Sequence, residues 1–148
     1  MNPSAQLRSA LRWWSAIAAA ASVYALVIRP RMLRWGASRD EVKGAYPGEI
    51  LIPGGKRSAT MATTIKAPPS AVWPWLVQMG YGRAGWYSWD HLDNWGRSSA
   101  STLHPEWQIV SLGDRLSSMP HDEAWWEIAA LEPERFLGLR ASFDLRGR

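Results

Sequence analysis

The chain has 148 residues, 47% of them hydrophobic, a formal net charge of +4 and no cysteine. That length holds one domain and a short extra segment, and the apolar share excludes wholesale disorder. The missing cysteine excludes disulfides, thiolate metal sites and a Cys nucleophile.

The charge is unevenly placed. Residues 1–43 carry seven Lys/Arg against two acids, whereas the remainder carries ten against eleven, a net of −1. A duplex-binding domain holds its excess positive charge on the folded part, where it displaces counterions from phosphates. Here the excess brackets an apolar run, so nucleic acid is not an expected partner. The 11 Trp against 2 Phe are a second departure from ordinary usage. Trp combines a large apolar body with one N–H to satisfy, which suits cavity walls, interfaces and membrane boundaries.

Residues 1–12 read as an N-terminal tail. Trp13 to Ile28 (WWSAIAAAASVYALVI) is free of charge, and as a helix of about 1.5 Å rise per residue it spans roughly 24 Å. Arg12 before it can snorkel, and Arg29, Arg31 and Arg34 follow it, so the segment is predicted as a single transmembrane helix. A signal peptide is disfavoured by the basic residues after the run and by the lack of a small-x-small cleavage site. The positive-inside rule then places the rest of the chain in the cytoplasm.

Residues 29–58 read as a basic flank and linker, with turn signals at Pro47-Gly48 and Pro53-Gly54-Gly55. Residues 59–148 are the predicted folded domain. Ala59–Lys66 alternates and is rich in Thr, which predicts a strand. Pro68-Pro69 opens a helix over Ser70–Met79, with Val72, Trp75, Leu76 and Met79 on one face and Gly80 as its cap. Gly80–Gly85 (GYGRAG) matches G-x-G-x-x-G, but the dinucleotide fingerprint needs a strand before it and a helix after it. A helix precedes it here, so the glycines are predicted to form a tight turn. Trp86–Trp95 (WYSWDHLDNW) predicts a helical turn or two. Gly113–Leu116 reads as a strand, and Trp125–Leu131 and Phe136–Ala141 as a hairpin around Glu132-Pro133-Glu134. In the first hairpin strand, Trp126, Ile128 and Ala130 are expected on one face.

Chemistry-bearing groups are sparse. Asp90, His91 and Asp93 lie together, and Asp90 and His91 are the candidate acid–base pair. An aspartate opening a helical turn is also an ordinary cap, so no catalytic set is assigned, and neither a metal nor a cofactor is expected. No serine sits in G-x-S-x-G.

Four strings carry a family resemblance: Arg29–Arg39 (RPRMLRWGASR), Ala67–Gly80 (APPSAVWPWLVQMG), Gly82–Leu92 (GRAGWYSWDHL) and Gly113-Asp114. Together with the element order they resemble the SRPBCC (START-like, polyketide cyclase/dehydrase-like) superfamily, specifically its membrane-tethered bacterial members, over residues 29–141. The resemblance implies an α+β helix-grip fold, in which a curved antiparallel sheet wraps a long C-terminal helix around an apolar cavity. The chain ends at Arg148, before the further strands and long helix that such a fold requires. The domain is therefore expected to be an incomplete, truncated one, or to need a partner over its sheet. The resemblance further implies that Trp75, Trp86, Tyr87, Trp89 and Trp126 line the cavity; the residues alone leave core packing open. The implied function is membrane-anchored binding of a hydrophobic small molecule such as a lipid, quinone or polyketide. The alternatives are a cyclase, dehydratase or hydrolase using the same cavity, and a protein-interaction module.

Overall fold

A computed structural model describes residues 3–141, with residues 3–11 as helix backbone only. The chain divides into two compact units, one formed by residues 1–45 and 55–65, the other by 46–54 and 66–148.

In the first unit, helix α1 runs Pro3–Val23. A π-helical turn, Tyr24–Ile28, follows and leads into the short α2, Arg29–Met32. Among the described residues no helix is long and apolar enough to cross a membrane. This overturns the predicted Trp13–Ile28 span, and with it the single-pass placement and cytoplasmic domain. The cause lies in how the apolar run is divided. The first half of α1 covers the polar stretch before Trp13. The apolar remainder up to Val23 rises only about 16 Å, against roughly 30 Å of hydrocarbon. The other five apolar residues form the π-turn.

Helix α3, Arg39–Lys43, lies inside the predicted linker. Its start is a capping box: the Ser38 hydroxyl accepts from Glu41 N at 3.2 Å, and the Glu41 carboxylate accepts from Ser38 N at 2.7 Å. Its far end is held by Arg57, whose guanidinium donates to the carbonyls of Val42 (2.8 Å) and Gly44 (2.6 Å).

The strand predicted at Ala59–Lys66 does not form. Thr60 N and Ala62 N donate to the carbonyls of Leu33 and Trp35, both at 2.9 Å, so alternate amides are spent on the turn after α2. The partner there is a turn, and no ladder can extend from it. Gly36 makes the approach possible: its φ is +70°, and a Cβ would sit 1.9 Å from the Ala62 carbonyl oxygen.

The second unit holds the sheet. Helix α4, Pro69–Val77, starts at Pro69 after an extended Pro68, and Pro74 lies inside it. Residues 80–85 turn back on themselves through reciprocal Gly80–Gly85 backbone bonds of 3.1 Å, as the glycine spacing predicts. Tyr81 N then donates to the Ser117 carbonyl at 2.8 Å, and Ala100 N to the Ala84 carbonyl at 2.8 Å. The ends of residues 85–99 are thereby brought together, with the four-residue α5 (Asp90–Asp93) inside the loop.

Three antiparallel strands follow, β1 (Arg115–Ser117), β2 (Trp125–Glu132) and β3 (Phe136–Ala141), in the order β1-β2-β3. The unit is thus a small α+β structure. The α+β class and the antiparallel sheet are those expected, and the fold-class expectation fails on the transmembrane helix placed before them; the longest helix described in this unit, α4, has nine residues. The pairs Leu116–Trp126, Trp126–Ala141 and Ile128–Leu139 define one face, on which Leu116, Ile128 and Ala141 are buried. A register shift between Ile128 and Ala130 sets Ala130 against Gly138. Since Gly138 precedes Leu139, Ala130 joins the opposite face. The predicted single face of Trp126, Ile128 and Ala130 is therefore broken by a bulge. Leu51 packs on the second face, where a Cβ at Gly138 would lie 3.3 Å from its Cδ1 and 3.0 Å from Ala130 Cβ.

Candidate functional site

The polar interior of the second unit is organised around two side-chain amides. Gln78, at the end of α4, is fully buried. Its Nε2 donates to the Tyr87 hydroxyl and to the Thr102 carbonyl (3.2 Å). Its Oε1 accepts from His104 N (3.0 Å) and from Gln108 Nε2 (3.1 Å). All four hydrogen-bonding positions of the amide are filled, which offsets the cost of burying it.

Asn94 is 2% exposed and ties the 85–99 loop. Its Oδ1 accepts from Trp86 N at 2.9 Å, and its Nδ2 donates to Asp90 Oδ1 (2.7 Å) and Ser99 Oγ (2.8 Å). Ser99 Oγ also accepts from Tyr87 N at 3.2 Å and donates to Asp90 Oδ1 at 2.8 Å.

These clamps fix the aromatic residues. Tyr87 has φ +53°, a left-handed conformation that a bulky residue keeps only when its surroundings impose it. Ser99 holds its backbone and Gln78 its hydroxyl, and its ring meets Trp75 edge-on at 5.9 Å and 73°. Tyr87 nonetheless stays 38% exposed. Trp86 is half-buried beside it. Trp89, 76% exposed, opens α5 and faces solvent. Trp126 sits opposite Leu116 on the sheet, and among the described residues no ring contact joins it to Trp75 or Tyr87. Of the five aromatic candidates, the structure thus joins Trp75 and Tyr87 by a ring contact, sets Trp86 next to them in the chain, and leaves Trp89 and Trp126 apart.

Asp90 is engaged in scaffolding. Its Oδ1 accepts from Asn94 Nδ2, Ser99 Oγ and Ser99 N. These donors, the Ser99 hydroxyl foremost and Asn94 next, hold its carboxyl below the ordinary carboxylate range. A general base near neutral pH needs the opposite shift. His91 is exposed, and Asp93 accepts from Ser88 Oγ at 2.5 Å. Among the described residues no group of three or more His, Asp or Glu is placed to hold a metal ion.

Several residues that organise the site carry no sequence motif. Gln78 and Asn94 read as surface amides in a linear scan, and Ser99 as a loop serine. Arg83 staples the region by donating to the carbonyls of Val77 (3.0 Å) and Trp107 (2.9 Å). Burial lowers its pKa from the ordinary value, with Asp114 opposing the shift, and the guanidinium remains charged. His104 stacks on Trp107 at 4.4 Å. The one available signal was Gln78 itself, a lone amide in the apolar string WLVQMG.

No family model, no curated protein and no solved structure matches the chain.

Proposed function

We propose that the sheet-bearing unit binds a hydrophobic small molecule of lipid, quinone or polyketide type on the aromatic surface made by Trp75, Trp86 and Tyr87. The observation that supports this reading is the Tyr87 ring. It is held through its hydroxyl, its backbone amide and an edge contact with Trp75, yet keeps accessible surface. A ring ordered before the ligand arrives loses little further entropy on binding, which is how preorganised aromatic sites gain affinity. The resemblance of residues 67–92 to SRPBCC proteins supports the same ligand class. The engagement of Asp90 in the loop network favours binding without turnover.

Native mass spectrometry of the gently purified full chain, followed by tryptophan-fluorescence titration with a fatty acid, a quinone and an aromatic polyketide, tests the proposal. A bound apolar adduct is expected, together with at least tenfold weaker titration in Trp75→Ala, about 1.4 kcal/mol. An empty protein that none of the three ligands titrates would overturn it. A stoichiometric protein partner with no small molecule would select the interaction-module reading, which the exposed Trp89, Leu92 and Trp95 favour.

A further inference from the structure

The first unit carries a cleft of about 320 Å³ that is open to solvent and lined by Arg34, Ala37, Ser38, Arg39, Val42 and Lys43. Three of these six residues are cations, one is a hydroxyl, and none is a carboxylate. The volume is large enough for a tetrahedral anion with a small organic group attached.

No carboxylate lines it. The Glu41 carboxylate is turned back onto Ser38 N in the capping box, and Asp40 is not among the lining residues. Among the described residues no ion pair engages Arg34, Arg39 or Lys43. Like charges gathered around one concavity repel, and an anion placed between them relieves that repulsion.

The walls are also fixed. The 33–36 wall is pinned by the Thr60 and Ala62 amides and by the close approach at Gly36. The α3 wall is held by its capping box and by Arg57 on the Val42 and Gly44 carbonyls. The Ser38 hydroxyl accepts from Glu41 N, and its one proton, directed at the Glu41 carboxylate, can turn to an incoming anion. Ala37 and Val42 supply a small apolar side.

We propose that this cleft is a phosphate site, taking a phosphomonoester dianion on Arg34, Arg39, Lys43 and the Ser38 hydroxyl, with the ester's organic group against Ala37 and Val42. The arginines offer planar forks to pairs of phosphate oxygens, and Lys43 adds a point charge. The phosphomonoester could belong to a soluble metabolite or to a lipid headgroup.

Calorimetry of the full chain with glycerol phosphate, and flotation with phosphatidylcholine vesicles with and without phosphatidic acid, separate the two sources. Binding of glycerol phosphate without vesicle recruitment identifies a soluble ligand. Recruitment by phosphatidic acid over phosphatidylcholine identifies the headgroup. In either case Arg39→Gln/Lys43→Gln is expected to weaken binding at least tenfold. Lys56→Gln, a charge of the same unit outside the cleft, is expected to leave it unchanged. All three cleft cations are exposed, so the substitutions remove charge without opening a core, and circular dichroism confirms that the fold persists. Absence of binding in both arms would overturn the proposal. So would equal weakening by Lys56→Gln, which would reveal diffuse charge attraction in place of a site.

Discussion

Ser99 meets the carboxylate of Asp90 twice, through its hydroxyl at 2.8 Å and its backbone N–H at 3.1 Å. One oxygen of Asp90 thereby anchors a segment nine residues downstream. Asn94 completes the triangle, donating to both partners. The hydrogen bookkeeping closes: two amide hydrogens reach two acceptors, and the single hydroxyl hydrogen goes to the carboxylate. A residue that sequence reasoning offers as an acid–base candidate is thus the acceptor that organises its own loop.

That arrangement sets a pH dependence. The folded-state pKa of Asp90 lies below the ordinary aspartate value, owing to Ser99 and then Asn94. Its contribution to stability is therefore fully present above about pH 5 and declines as pH falls through the unfolded and then the folded pKa. Glu41 shifts in the same direction, through Ser38 N first and the Ser38 hydroxyl second. Thermal melts from pH 7 to pH 3 should show wild type losing more stability than Asp90→Asn. Parallel curves for the two proteins would contradict this account of the loop.

Gly85 faces the same triangle from the other side. Its φ is +82°, and a Cβ would lie 2.8 Å from both Asn94 Nδ2 and Ser99 Oγ. Gly85→Ala is expected to destabilise the unit by about 2 kcal/mol or more, combining backbone strain with a displaced buried amide. Asn94→Ala leaves the Trp86 amide without its acceptor and should cost a similar amount, about 2 kcal/mol. Urea denaturation of both variants measures these values.

Ile128 is 1% exposed and lies just before the bulge. Ile128→Ala should cost about 3 kcal/mol through lost burial and the cavity left behind. Ala130→Gly, beyond the bulge and on the other face, should cost about 1 kcal/mol or less, mainly backbone entropy. Equal losses in denaturation experiments would mean that the two positions share one core.

The hairpin turn gives a stabilising test. Arg135 N donates to the Glu132 carbonyl at 3.1 Å, and Glu134 between them has φ +61°, a position where glycine is favoured. Glu134→Gly is expected to raise stability by about 0.5 kcal/mol, the relief of strain being partly offset by the entropy glycine loses on folding. A lower melting temperature would show that Glu134 makes a compensating contact.

Local patterning was legible wherever the physics is local. The Pro68-Pro69 helix start, the glycine turn at 80–85 and the hairpin around Pro133 all follow from backbone preferences that neighbouring residues impose. The α3 helix was equally readable from Ser38 and Glu41, whose spacing is a capping box, but it was hidden in a stretch rich in Gly and Pro. Ala59–Lys66 failed for a different reason. Alternation reports which residues suit a strand, and it carries no information on whether a second strand is available. The Trp13–Ile28 run likewise reports apolarity, whereas the helix that forms shares those residues with a polar beginning and a π-turn. In the site, Trp75 and Tyr87 could be named, but their fixation by Gln78 and Ser99 could not. Those partners lie 9 and 12 residues from Tyr87, and amides and serines look solvent-facing in any linear scan.

The closure of residues 85–99 by the Ala84–Ala100 hydrogen bond has a consequence for how the protein moves. A loop whose ends are joined, and whose inner bonds run mainly to itself, can open and reclose as a separate cooperative unit while the strands stay paired. Amides at Trp86, Tyr87 and Ser99 then exchange their hydrogens together, at a free energy below that of global unfolding. Tyr87 belongs to this loop, so the same excursion that exposes those amides would carry its ring away from Trp75. The aromatic surface is therefore taken apart and rebuilt by the opening of one loop, with no requirement for any rearrangement of the sheet.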